Sequence, residues 1–436
     1  MFSPLFSHLL LFSFLLSPCY AYLNNWFPIA SISTTDWRHP QQIRVLGKDF
    51  VLWKKNEQIV LQDDVCPHRC APLSEGYIDR KSKNLRCAYH GWEFNEKGTC
   101  TVIPQMDEGR TIKACRANVK DYVVQEHGDI LWAYFGNNSE HIVFPKEKYD
   151  YGDDPVFVRN IPYSMHILLE NFFDPAHVSF AHHKLQSHRD NGCPIYIRNA
   201  THEQAANQTF SVLFANKDND ARVGKMKFEL PCHYCLETIE GRRSILNALH
   251  VFIVPVQEDS TRIFLTYDYN RDHSFYKWVK RAPLWLSHMF TNRFLDSDTY
   301  LLYKQEQYLK ARSVSYHENK EYYLPTESDK AVAIYRKWIK RALPTIPFFA
   351  KKSFGRELSR QEVLDRFQQH TAICSVCKTS YENVMKAQKW VPLLSLFSYC
   401  VSKKWPFLVL SATTFAILDT LKKQFLFQDY IHNEID

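Results

Sequence analysis

Two groups of metal-binding side chains carry the chemistry of this chain. The first lies in CPHRCAPLSEGYIDRKSKNLRCAYH, residues 66–90, as Cys66-x-His68 and then Cys87-x-x-His90. Two thiolates and two imidazoles can hold a small metal centre. A zinc site built from two cysteines and two histidines usually pairs cysteine with cysteine and histidine with histidine. Here each pair mixes one of each. That suits a [2Fe–2S] cluster of the Rieske type, in which two cysteines hold one iron and two histidines the other. Imidazole ligation raises the potential above that of an all-cysteine cluster, so the centre can take electrons from a ferredoxin. Cys70 follows in the same loop and is read as structural.

The second group is ENFFDPAHVSFAHH, residues 170–183. His177 and His182 are five positions apart. On a straight helix they would point about 140° apart, so the helix must end or bulge between them. Two histidines and a carboxylate make the facial triad of non-haem Fe(II) oxygenases, which leaves positions open for O2. His183 competes with His182 for this role. The carboxylate must come from a distant segment. The helix-like run 296–306 offers Asp296 and Asp298, with Asp298 preferred. Asp174 can cap the turn that Pro175 begins. A Rieske centre delivers single electrons, and an iron of this kind needs them to activate O2, so the two groups support each other.

The elements that position these residues are partly visible. Ile43–Val45, Phe50–Trp53 and Ile59–Leu61 read as strands before the first group. Residues 91–94 and 130–135 read as strands after it. A pocket lined by Phe172, Phe173 and Phe180 is an expectation of the same reading.

Composition narrows the class. Of 436 residues, 45% are hydrophobic and 23% charged, which excludes a disordered tail protein and a polytopic membrane protein. The net charge of +7 is too small and too dispersed to argue for nucleic acid. Neither a G-x-G-x-x-G nor a Walker loop occurs. At this length the twelve cysteines are not needed as staples, and their spacing reads better as metal and redox chemistry. Residues 1–21 contain an apolar run of signal-peptide length without a basic start. Near the other end, Trp390–Val401 and Trp405–Leu418 are apolar but shorter than the roughly 20 residues that span a bilayer. Flanking lysines and tryptophans favour membrane contact. Sequons stand at Asn137, Asn199 and Asn207.

With these motifs the sequence resembles Rieske non-haem iron oxygenases, and more narrowly the pheophorbide a oxygenase and chlorophyllide a oxygenase group of plastid enzymes. The stretches that carry the likeness are CPHRCAPLSEG, CAYHGWEF and GTCTVIPQ, then ENFFDPAHVSFAHH, then HTAICSVC at 370–377. It covers roughly residues 24–380.

The resemblance implies an α+β fold. A Rieske antiparallel β domain would be followed by a helix-grip (START-like) catalytic domain and a C-terminal apolar helical pair. The expected organisation is a signal or targeting segment at 1–21, the Rieske domain at 24–145 and the catalytic iron domain at 146–350. A C-x-x-C segment at 351–385 and a membrane-associating segment at 386–436 follow. Cys66, His68, Cys87 and His90 would bind the cluster. His177, His182 and Asp298 would bind the catalytic Fe(II). Asp174 would bridge electron transfer between subunits of a homotrimer. Cys374 and Cys377 would be a thioredoxin-responsive pair, although their spacing also suits two ordinary thiols or a small metal site. Cys232-His233-Tyr234-Cys235 has the same spacing without a motif behind it and reads as structural.

The implied activity is a ferredoxin-dependent monooxygenase that puts one atom of O2 into a tetrapyrrole or another apolar small molecule. The rivals are a Rieske sterol or lipid oxygenase and a redox-sensing membrane protein of the plastid envelope. The implied location is a plastid membrane, thylakoid or envelope, reached through the N-terminal signal sequence with Tyr22 opening a short transit segment, or else the endomembrane system.

Overall fold

The computed structural model describes residues 22–107, 109–136, 142–149, 151, 154–202, 208–216, 222–240, 244–269, 282–312, 321–343 and 356–432. The expected leader at 1–21 and the sequons at Asn137 and Asn207 lie outside them.

The N-terminal third is built from short antiparallel strands. They are β1 (Trp26–Ser31), β2 (Gln41–Val45), β3 (Lys48–Lys55), β4 (Gln58–Asp63), β5 (Tyr77–Ile78), β6 (Leu85–Arg86), β7 (Glu93–Phe94), β8 (Cys100–Val102), β9 (Asp121–Tyr122), β10 (Val124–His127) and β11 (Ile130–Tyr134). They form three sheets, ordered β1-β11-β10, β2-β3-β4-β9 and β5-β6-β7-β8. The strands expected around the first motif are β2, β3, β4, β7 and β11. Leu46 and Gly47 both have positive φ and make the two-residue turn between β2 and β3, a geometry that matches strand twist. Gly98 also has positive φ, and a side chain there would run into the Val119 carbonyl.

The following part is one seven-stranded antiparallel sheet in the order β12-β18-β17-β16-β15-β14-β13. Its strands are β12 (Phe157–Ile161), β13 (Ile195–His202), β14 (Thr209–Asn216), β15 (Arg222–Glu229), β16 (His233–Glu240), β17 (Ser244–Gln257) and β18 (Ser260–Tyr269). Helix α1 (Met165–Phe172) and the short α2 (Val178–Ala181) follow β12. The long α3 (Leu284–Ala311) and α4 (Lys330–Ala342) follow the sheet. The architecture is α+β, with Rieske-type sheets followed by a large antiparallel sheet and helices.

The two halves share a core. Leu46 and Gly47 donate their amides to the carbonyls of Pro255 and Val256. Trp132 meets Phe252 edge to face at 5.0 Å. Trp338 of α4 stacks on Phe210 of β14, and Phe173 stacks on Tyr335. Phe173 is therefore core, and Phe180 is exposed, so the three expected phenylalanines do not line one pocket. Tyr22 is buried edge to face against Phe27 and belongs to the fold.

Helix α3 is unusual in what it buries. His288, Asn292, Leu295, Thr299, Leu302, Glu306 and Leu309 are buried at alternating spacings of four and three, which is one helix face. Polar groups are seldom buried without partners, so a face of this composition marks a helix that holds sites.

The C-terminal hairpin is α5 (Ser375–Ser402) and α6 (Pro406–Leu426). Lys403, in the left-handed region, ends α5, and Ser395 donates to the Phe407 carbonyl across the pair. No helix among the described residues is long and apolar enough to cross a membrane. Trp390, Leu394, Phe397, Val401, Trp405 and Leu410 nevertheless stand exposed on the hairpin.

Candidate iron centres

The first centre sits where two loops meet at the edge of the β5–β8 sheet. Cys66 and Cys87 are buried, His68 is exposed and His90 half-buried. The two imidazoles meet edge to face, with 4.5 Å between ring centroids. His68 also lies flat on Trp92, at 4.8 Å and 6°. The loops are held by paired backbone bonds: Cys66 donates to Ala71, Cys70 to Cys66, Cys87 to Trp92 and Gly91 to Cys87. Gly91 has φ 73, which lets the chain turn back directly after His90. Cys70 is exposed at φ 58, a turn residue of the loop and not a buried thiol. Burial pushes the Cys66 thiol up to about 12, and the neighbouring Cys87 adds to this. A Rieske cluster needs one iron held by two thiolates and one held by two imidazoles. Buried thiols inside and accessible imidazoles outside supply that donor arrangement.

The second centre joins two segments. Asp174 caps a 3-10 turn, Pro175–His177, by accepting from the Ala176 amide at 2.9 Å. Helix α2 follows and stops at His182. This break brings the two rings to 5.1 Å, edge to face. Asp298 of α3 completes the set, its Oδ2 lying 3.3 Å from His182 Nε2 and 3.7 Å from His177 Nε2.

Hydrogen bonds fix which nitrogen each histidine presents. His177 Nδ1 meets the Asp174 carbonyl, which can only accept. His182 Nδ1 lies 2.7 Å from Ser297 Oγ. That hydroxyl gives its own proton to the Phe294 carbonyl at 2.6 Å, so it accepts from His182. Both Nδ1 atoms therefore carry the hydrogen, and both Nε2 lone pairs point toward Asp298. Such backing of the far nitrogen is how ligating histidines are oriented. Burial pushes the Asp298 carboxyl up to about 6, against the pull of His177 and a hydrogen bond from Asn171. Burial, with His177 adding to it, holds His182 down at about 3. A cation at the three atoms would reverse the first of these and suit the second. The residues fit a mononuclear iron by donor type and direction.

The competing residues face elsewhere. His183 packs on His188 and accepts from the Arg189 amide. Asp296 is paired with Arg159 and Arg366. Sequence reasoning misses Ser297, Asn171 and Phe294, whose ring stacks on His182 at 3.8 Å. Cys374 and Cys377 are buried free thiols beside His288 and His370. Cys232 and Cys235 are buried free thiols at the start of β16.

Comparison with known proteins agrees with this arrangement. Residues 25–122 match the Rieske [2Fe-2S] domain and residues 228–315 match the pheophorbide a oxygenase family. The chain is 30% identical to the chloroplastic pheophorbide a oxygenase of Oryza sativa subsp. japonica, over 96% of this chain and 86% of the rice protein. It is 29% identical to the chloroplastic flavonoid 8-hydroxylase 2 of Ocimum basilicum, over 86% of this chain and 77% of that protein. Among solved structures, Pseudomonas putida CBB5 NdmA shares the fold, with a TM-score of 0.53 at 18% identity over 78% of this chain and all of that one. The fold and paired centres define a Rieske-type oxygenase, an oxidoreductase that needs O2 and an electron donor. The chain belongs to the pheophorbide a oxygenase family of these enzymes.

Proposed function

We propose that the chain is a ferredoxin-dependent monooxygenase that inserts one atom of O2 into a large apolar ring, a chlorophyll-derived tetrapyrrole of the pheophorbide a type. The observation that carries this is the convergence of His177, His182 and Asp298 in a chain that is similar to the rice enzyme over nearly its whole length. Cys66, His68, Cys87 and His90 hold the cluster in this reading. When bound, the two metal centres supply single electrons and a place for O2 to be reduced, one oxygen atom going to substrate and the other to water.

The residues of the chain do the rest. Ser297 and the Asp174 carbonyl hold the two imidazoles in the ligating tautomer. Phe294 stacks on His182 and restricts its ring. The exposed His68 would be the point of electron exit, and Asp174 of a neighbouring subunit in a homotrimer would bridge it to that subunit's His177. The seven-stranded sheet against α3 supports a helix-grip, START-like description of the catalytic half. The apolar hairpin α5–α6 supports attachment to a plastid membrane, and the relatives' chloroplast location favours the plastid over the endomembrane system.

The test is turnover of the purified full chain with pheophorbide a, ferredoxin and isotopically labelled O2. About three irons and about two sulfides per chain, a Rieske EPR signal and one labelled oxygen in the chlorin support the reading. Both metal centres without chlorin product would move the substrate to a sterol, lipid or flavonoid-like ring. A cluster without the second iron would leave a redox sensor.

A further inference from the structure

A third group of ligating side chains lies away from both centres. His288, His370, Cys374 and Cys377 each direct one donor atom to a common point, with all four atoms within 4.8 Å of one another. His370 Nε2 is 3.2 Å from Cys377 Sγ. His288 Nδ1 is 3.4 Å from Cys377 Sγ and 3.6 Å from Cys374 Sγ. All four residues are at most 2% exposed.

Local structure explains the convergence. The π-helical turn Phe367–Thr371 carries His370. The chain then extends at Cys374, which caps α5, and Cys377 sits in the first turn of that helix. His288 comes from the buried face of α3, opposite them. His370 Nδ1 lies 2.6 Å from the Val158 carbonyl, so that nitrogen carries the hydrogen and Nε2 offers its lone pair to the group. His288 turns Nδ1 to the two sulfurs, while its buried Nε2 has no hydrogen-bond partner among the described residues, so packing and not a hydrogen bond orients this ring.

The distances select the kind of centre. Zinc bonds of about 2.3 Å to sulfur and about 2.0–2.1 Å to nitrogen give a tetrahedron with edges of about 3.3–3.8 Å. The three contacts above fall at or beside that range. The thiols sit in an apolar cluster with Val384 and Phe425, against which Trp285, Met289 and Tyr381 pack partly buried. A metal bound there would add its binding free energy to this packing of the hairpin on α3.

We propose that His288, His370, Cys374 and Cys377 form a tetrahedral structural zinc site that fastens the C-terminal hairpin to helix α3. Four protein ligands leave no open position, which is the mark of a structural site. Binding breaks two S–H bonds, releases two protons to solvent and forms two zinc–thiolate bonds, with no change of oxidation state. The same helix carries Asp298 ten positions further on, about 15 Å along the axis. Zinc would thus tie the apolar hairpin to the helix that supplies the iron carboxylate. The rival state is a Cys374–Cys377 disulfide opened by thioredoxin, and the burial of both sulfurs beside two imidazoles weighs against it.

The experiment is metal analysis of the full chain after dialysis against a mild chelator, with X-ray absorption at the zinc edge. The expected result is about one zinc per chain, bonded to two sulfurs near 2.3 Å and two nitrogens near 2.0 Å. Cys374→Ser and His288→Ala should lose the zinc and keep the Rieske EPR signal. Should those variants not fold, cobalt exchanged into the wild-type chain should give the visible absorption of a tetrahedral thiolate complex. Absence of zinc with a Cys374–Cys377 disulfide in non-reducing peptide maps would overturn the proposal. So would zinc retained when both cysteines are serine.

Discussion

Asp296 and Asp298 are two positions apart on α3 and do opposite work. Two steps along a helix turn a side chain by about 200°, so the pair cannot face one site. Asp298 reaches the two imidazoles. Asp296 lies between Arg159 at 2.6 Å and Arg366 at 2.5 Å, with all three side chains at most 1% exposed. Arg159 also bonds Asn292 and Gln369, and Arg366 bonds the Gln424 carbonyl. Asp296 therefore anchors β12, α3 and α6 to each other. Asp298→Asn is expected to lose the mononuclear iron and turnover while keeping the cluster signal. Asp296→Asn is expected to keep both metals but lose on the order of 3–5 kcal/mol of stability, because two buried guanidinium groups lose their counter-charge. Iron content and thermal unfolding of the two variants distinguish these roles. Iron loss without a fall in Tm in Asp296→Asn would reverse the assignment.

Ser297, between them in sequence, acts through His182. Its hydroxyl donates to Phe294 and accepts from His182, which keeps Nε2 unprotonated toward Asp298. Ser297→Ala removes the acceptor and lets the ring rotate or change tautomer. Iron affinity should fall by about 10–100-fold, the usual effect of losing such a partner. Ser297→Thr should restore most of it. Iron retention against a competing chelator measures both, and wild-type retention in the alanine variant would remove Ser297 from the site.

Asp174 combines a cap with a proposed electron path. Its carboxylate accepts from the Ala176 amide, its carbonyl receives His177, and burial raises its pKa. Asparagine keeps the capping oxygen and the carbonyl but removes the charge. Asp174→Asn should therefore hold both metals with little change in Tm and slow re-oxidation of the reduced cluster. Stopped-flow absorbance with O2 and substrate reads that rate. Re-oxidation at the wild-type rate means electrons take another route.

How much the sequence showed follows from how far apart the partners are. The cluster motif is compact, and its four candidate ligands lie in one 25-residue loop pair, residues 66–90. His177 and His182 were legible because a capped turn and a short helix are local events. Asp298 was legible only as one of two carboxylates, since choosing between them needs the helix rotation relative to β12. Ser297 was invisible because its bond to His182 spans 115 positions. His288 was invisible for the same reason, standing 86 positions before Cys374. The phenylalanines failed as pocket markers because an aromatic run signals burial without saying against what. Phe173 went to the core and Phe180 to the surface.

The hairpin tests whether exposed apolar surface is used. Trp390 and Trp405 are 61% and 70% exposed, with Phe397, Val401 and Leu410 between or beside them. A monomeric soluble surface seldom carries so many large apolar groups together. Lys403 and Lys404 sit at the turn, where they would meet anionic headgroups. Neither helix is long and apolar enough to cross a membrane, and the expected binding is in the interface, with apolar side chains inserted and the lysines at headgroup level. Burying one such side chain contributes roughly 1.5–3 kcal/mol. Replacing Trp390 and Trp405 together by serine should weaken co-sedimentation with mixed neutral and anionic vesicles by at least about tenfold, since each 1.4 kcal/mol is a factor of ten. High salt should weaken the wild type less than the double substitution does, because the apolar contribution is not screened. Equal sedimentation of wild type and variant would mean that this face is covered by protein and not by lipid.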